Sequence, residues 1–342
     1  MPRNNQWLEQ VHEDALEPDL PICDPHHHLW DFREGTPEPR YLLDNLLEDT
    51  NSGHNIVSTI FIECHAMYRA DGPEEMKPVG EVEFVNGIAA MSASGLYGKT
   101  KVAAGIIGHA DLMRGAAAGE VLDALTAHGG GRFKGIRHAV AWEADPVIRN
   151  HRTNPPEHRY MDPKFREGLK QLGPRKLTFE GWCYMKQIGE LADLAKATPD
   201  VTIILNHFGG PLGIGSYANK KAETMEYWRG EIAKLAECPN VVAKLGGLAM
   251  PDNGFGWDRR DRPASSDELV AEQGRYYHHA IECFGPERCM FESNFPVDRR
   301  SVPYAVYWNA MKKIAARYSA DEQHAMFYGT AQRVYRLALS TG

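Results

Sequence analysis

What this chain of 342 residues lacks narrows its class before any motif is read. It has no run approaching the roughly 20 apolar residues of a membrane-spanning helix. Residues Met1 to Leu20 are polar and acidic, without the apolar core of a secretory signal, so a cytoplasmic protein is expected. The six cysteines (Cys23, Cys64, Cys183, Cys238, Cys283, Cys289) form no CxxC pair and no short-spaced framework. That argues against a disulfide scaffold or a thiolate zinc site and for reduced thiols. Positive charge is not in excess: the formal net charge of -8 argues against nucleic acid as the main partner. No glycine-rich phosphate turn follows the first apolar run, which disfavours a dinucleotide-binding sheet. No low-complexity segment or short repeat stands out.

What is present is ordinary globular composition, 43% hydrophobic and 25% charged, in a regular alternation. Short β-branched runs predict eight strands: Ile22–Trp30, Val57–Ala66, Lys101–Ala110, Phe133–Ala141, Leu177–Tyr184, Thr202–His207, Val241–Gly246 and Cys289–Asn294. Amphipathic stretches such as Glu81–Ser94, Ala116–His128, Gln187–Thr198, Met225–Glu237 and Glu268–Phe284 separate them. This order predicts an α/β fold, a single (β/α)8 TIM barrel with long loops at its C-terminal face. One domain is expected over residues 1–342, with 1–20 as an N-terminal extension.

The first strand ends in Asp24-Pro25-His26-His27-His28-Leu29-Trp30. Extended backbone alternates its side chains, so His26 and His28 face one way and His27 the other. Two converging imidazoles make half of a metal site or an acid/base pair. Later strand ends are polar too: Glu63 and His65, His109, Arg137 and His138, Glu180, His207, Lys244, and Asn294 followed by Asp298. In a barrel these ends converge on one cavity. Arg137 is expected to point inward, where its guanidinium can grip a substrate carboxylate. The plain alternative is a structural ion pair with Glu63 or Glu180, and Lys244 invites the same reading. Glu63, a carboxylate inside an apolar run, must be paired or protonated.

Three long polar connections, Glu143–Pro163, Leu212–Glu223 and Met250–Asp267, follow predicted strand ends. The first carries His151, His158 and Arg159. The third carries Phe255, Trp257, Arg259 and Arg260, and Trp257, Arg259 and Arg260 are expected to reach the ligand.

Taken together, Asp24–Trp30, Phe133-Lys134-Gly135-Ile136-Arg137-His138, Leu205-Asn206-His207-Phe208-Gly209, Lys244-Leu245-Gly246-Gly247, Met290–Asp298 and Gly329–Tyr335 resemble the amidohydrolase-related (amidohydrolase 2) family, nearest its lactonase branch. The resemblance runs nearly end to end. It implies a barrel that is a homo-oligomer, with a small-molecule substrate and no nucleic acid or membrane partner. It also implies that His26, His28 and His207 form the histidine set, with Arg137 in the substrate-binding place. The family's aspartate on the eighth strand falls at Asn294, and an amide is neither a base nor a good metal ligand.

Three routes stay open at this point. A zinc or manganese ion held by His26, His28 and His207, with Glu180, could activate water. Alternatively, Asp298, Glu180 or Glu63 could serve as base in a metal-independent site. In the third, the hydrolytic reaction is lost. The expected activity is opening of a lactone or related ester of a small carboxylated substrate. The alternatives are a metal-dependent decarboxylase of an aromatic acid and a non-catalytic binding protein on a retired barrel.

Overall fold

The computed structural model describes residues 5–337. Its eight strands are β1 (Ile22–His27), β2 (Ile56–Ile62), β3 (Lys101–Gly108), β4 (Phe133–Arg137), β5 (Thr178–Gly181), β6 (Ile203–Leu205), β7 (Val241–Leu245) and β8 (Cys289–Phe291). They pair in parallel in the order of the sequence. A helix follows each: Leu43–Thr50, Val79–Ala93, Ala118–His128, Pro163–Lys170, Ile188–Ala197, Lys221–Ala236, Ser266–Phe284 and Tyr304–Ala315. This is the (β/α)8 barrel that the alternation predicts. None of the described helices is long and apolar enough to cross a membrane.

The seam between β8 and β1 closes beyond the regular ladder. The His28 amide donates to Phe295 O at 2.8 Å, and the Asn294 amide to His26 O at 3.0 Å. The Asp24 carboxylate ties the same seam, accepting the Ser293 amide (3.0 Å), the Ser293 hydroxyl (2.6 Å) and the Tyr304 hydroxyl (2.9 Å). Pro25, which has no amide to donate, sits at the β1 register shift, where a ladder tolerates it.

Two apolar layers hold the fold. Strand and helix faces form the larger one, including Phe61, Leu122, Phe179, Trp228 and Trp308. The barrel interior holds Cys23, Ile60, Ile62, Ile107, Ile204, Val242 and Met290, and the carboxyl-terminal Ala331, Val334, Tyr335 and Leu337 pack against it. That segment packs over the end of the barrel where the strands begin.

The strands are shorter than the sequence predicts at those carboxyl ends. His28, Glu63, His65, His207 and Asn294 lie just past the regular strands, and at the last three the backbone turns rather than continues. His65, His207 and Asn294 have φ of 64°, 50° and 58°, a region costly for residues with a side chain. The turns bring these side chains over the mouth of the barrel.

Candidate active site at the carboxyl end of the barrel

A cleft of about 430 Å³ opens over the strand ends. His28, His65, Arg137, His151, Trp182, His207 and Asn294 line it, with Arg33, Arg149, Arg152, Met250 and Asp252 nearer its rim. His26 lies beneath its floor with no exposed surface. Its ring centroid is 5.0 Å from that of His28 and 4.5 Å from that of His207.

Glu292 joins two of these histidines. Its Oε1 accepts from His207 Nδ1 at 2.7 Å and from the His207 amide at 3.3 Å. Its Oε2 lies 2.6 Å from His26 Nδ1, but that contact is poorly directed for a hydrogen bond, and neither atom has another partner. His28 is fixed separately, through Nδ1 and the carbonyl of Ile62 at 2.8 Å. Burial holds both His26 and His28 well below the ordinary imidazole range, helped by the Lys244 charge for His26 and the Arg137 charge for His28. Both rings are therefore neutral, with nitrogen lone pairs available.

The cleft's other wall is cationic. Glu63 is buried and accepts from Arg137 Nε at 2.7 Å, while its backbone carbonyl accepts from Arg137 Nη2 at 2.7 Å. Arg152, from the first long connection, bonds the second carboxylate oxygen. Burial alone would raise the Glu63 pKa; Arg152 and then Arg137 outweigh it and hold the carboxylate well below its usual range. Arg137 keeps Nη1 for the site, 3.4 Å from His26 Nε2. Its neighbour His138 turns to the helix layer against Phe165, as alternation requires.

Several candidates stand elsewhere. Glu180 does not reach the cleft; it accepts from Tyr335 and Asn206 and pairs with Lys244 Nζ at 2.9 Å, deep in the barrel. Asp298 is fully buried behind Asn294, whose Nδ2 donates to Asp298 Oδ1 at 3.0 Å. Burial, with the like charge of Glu292, raises its pKa well above the carboxylate range. Glu63 faces the guanidiniums rather than the cavity, so it holds the wall and does not form its surface. Trp257 is 1% exposed, stacked on Phe255 and covered by Arg260 at 4.1 Å. Arg260 in turn pairs with Glu268, and Arg259 is exposed away from the cleft. The third long connection instead contributes Met250 and Asp252.

The group able to hold a metal also differs from the three histidines expected. Ligand atoms of His26, His207 and Glu292 lie within 4.8 Å of one another. Two imidazoles and a carboxylate suit zinc or manganese. The undirected His26–Glu292 contact leaves two buried polar atoms that a cation bound to both would satisfy. Glu292 was readable in principle: it is a carboxylate in an apolar run, the signal that marks Glu63. Arg152 gave no such signal, since its partner is 89 residues away in the chain.

The chain is 31% identical over 338 residues to the uncharacterized protein y4mH of Sinorhizobium fredii, covering 93% of this chain and 99% of that protein. It is 28% identical over 209 residues to the L-fucono-1,5-lactonase of Burkholderia multivorans, spanning 61% of this chain and 64% of that enzyme. An amidohydrolase structure from Burkholderia multivorans with bound zinc superposes with a TM-score of 0.71 at 23% identity, covering 93% of this chain and 99% of that one. At that identity the likeness carries the fold alone. The sequence profile of the family described as Amidohydrolase matches residues 23–337, and the chain belongs to that family.

Proposed function

We propose that the protein is a hydrolase that opens a lactone, or a related ester, of a small substrate bearing a carboxylate. One observation carries this reading: a buried histidine–carboxylate group reaches the cleft through His207, and a wall of guanidiniums lines the same cleft. The first suits attack on a carbonyl and the second suits an anionic substituent beside it. The lactonase among the relatives supports the reaction class.

In this reading Arg137 and Arg152 hold the substrate carboxylate, with Glu63 fixing both forks at its back. Glu292 fixes the ring orientation of His207 by accepting from its Nδ1. A zinc or manganese ion held by His26, His207 and Glu292 would polarise the scissile carbonyl and acidify water. Asn294 spends its amide hydrogen on Asp298, so Oδ1 is left to accept a hydrogen bond and orient the attacking water. His28, neutral and fixed through Nδ1, offers Nε2 as acceptor for that water's proton. Trp182, edge-on to His207 with ring centroids 4.9 Å apart, limits solvent access on that side.

The test is product analysis by mass spectrometry after incubation with five- and six-membered lactones carrying a carboxylate and with aromatic hydroxy acids. A product that gains the elements of water supports the proposal. Loss of carbon dioxide from an aromatic acid would replace it with a decarboxylase. Unchanged substrate throughout, together with a biological role that survives His26→Ala, would leave a binding protein.

A further inference from the structure

One buried carboxylate has no part in the reading above. Glu81, on the helix Val79–Ala93, has no exposed surface. Its Oε1 accepts the amides of Cys64 (2.9 Å) and Ala66 (2.7 Å), and its Oε2 has no hydrogen-bond partner. Both donors are uncharged, and a glutamine carbonyl would serve them equally well. A buried negative charge therefore needs another reason.

The reason lies in the wall that the same corner carries. Glu63, Cys64 and His65 follow one another there; Glu63 grips Arg137 and Arg152, and the Cys64 carbonyl accepts from Arg33. Arg33, Arg137 and Arg152 meet Glu63 and Glu81 at this corner, so protonating Glu81 raises the corner's positive surplus from one charge to two. Burial and the like charge of Glu63 push the Glu81 pKa up to about 7, against the pull of the two amides and Arg152. The titratable and charged groups facing it are Glu63, Cys64 and Tyr68 from the corner and Arg152 from the first long connection. Burial raises the Cys64 and Tyr68 values, so both stay neutral.

We propose that Glu81 is the charge-balancing positioning residue of the arginine wall, and that an anion docking on Arg137 and Arg152 binds together with one proton, taken from solvent onto Glu81. The inference rests on the reading of that wall as the substrate's anion site. It adds that affinity for the substrate is linked to pH through a residue the substrate never touches.

The experiment is calorimetric titration of the full chain with sulfate, which exchanges no proton near neutrality, in buffers of different ionisation enthalpy. Near pH 7 the wild-type protein should take up about half a proton per sulfate bound, and its affinity should fall toward tenfold per pH unit above that. Glu81→Gln, fixed in the uncharged form, should bind as tightly as the wild type in acid, with no proton uptake and a flat profile. Sulfate binding without proton uptake in the wild type, or uptake that persists in E81Q, overturns the role of Glu81 and leaves the wall intact. Absence of sulfate binding, or binding indifferent to Arg137→Gln, overturns the wall as an anion site and this inference with it. If E81Q does not fold, the wild-type profile decides: a flat one overturns the proposal.

Discussion

Glu180, within β5, and Glu292, just past β8, are both buried carboxylates, yet their surroundings differ in kind. Glu180 is surrounded by fixed donors: a tyrosine hydroxyl, an asparagine amide and the Lys244 ammonium. Its charge is matched inside the barrel and has no route to the cleft. Glu292 is held by two imidazoles, groups that exchange protons and bind metals, one at the cleft surface and one beneath it. Both oxygens of the lower carboxylate accept a hydrogen bond, with Lys244 beside them as an ion pair; the upper one leaves Oε2 without a donor. The two are not independent, since the Lys244 charge helps keep His26 neutral. The buried pair at the base thus adds to burial in keeping His26 neutral.

The sharpest way to break this contrast is to remove the upper group's imidazoles. His26→Ala and His207→Ala should each lower kcat/KM for lactone opening by about a thousandfold while the protein stays folded by circular dichroism. Removing the lower carboxylate should do the reverse. Glu180→Gln leaves the Lys244 ammonium buried and uncompensated, at a cost of about 3–5 kcal/mol in chemical unfolding. The double change Glu180→Leu with Lys244→Met should recover only part of that loss, because the apolar pair needs no charge balance but leaves the Tyr335 hydroxyl and the Asn206 amide without their acceptor.

Acid provides a third test. His26, His27, His28 and His138 are all held below their ordinary value of 6.5, chiefly by burial, His27 at about 3. Unfolded, they take up protons as pH falls through 6.5; folded, they do not. Their contribution to stability is therefore complete above about pH 6.5 and is lost progressively below it. Thermal unfolding should shift to lower temperature from about pH 7 to pH 5, and less so when a neutral residue of similar size replaces His27. The smallest effect is expected on the third long connection. Arg260→Ala removes a cation from the Trp257 ring at a cost under about 1 kcal/mol, with kcat/KM changed less than twofold.

The eight strands, the helices between them and the inward face of His26, Arg137 and His207 were legible in the sequence, because apolar period and alternation are local signals. The strand ends were not. Every residue from Ile22 to Trp30 is buried, so hydropathy cannot show where the ladder stops after His27. The left-handed turns at His207 and Asn294 likewise leave no mark in the pattern of residue types. Trp257 reads as an exposed aromatic in a polar loop; its cover comes from Phe255 and Arg260, two and three residues away, in a conformation the sequence does not announce. Glu292, two residues before Asn294, meets both histidines, yet nothing local in the sequence ties it to partners that arrive from β1 and from the end of β6.

The most direct test of the account is Glu292→Gln, measured beside Glu180→Gln for both lactone hydrolysis and chemical unfolding. The account predicts a crossed result. Glu292→Gln loses activity by at least about a hundredfold with little change in stability, since glutamine still accepts the His207 amide, while Glu180→Gln loses stability first. A Glu292→Gln protein that hydrolyses at the wild-type rate, or that unfolds as readily as Glu180→Gln, would contradict it.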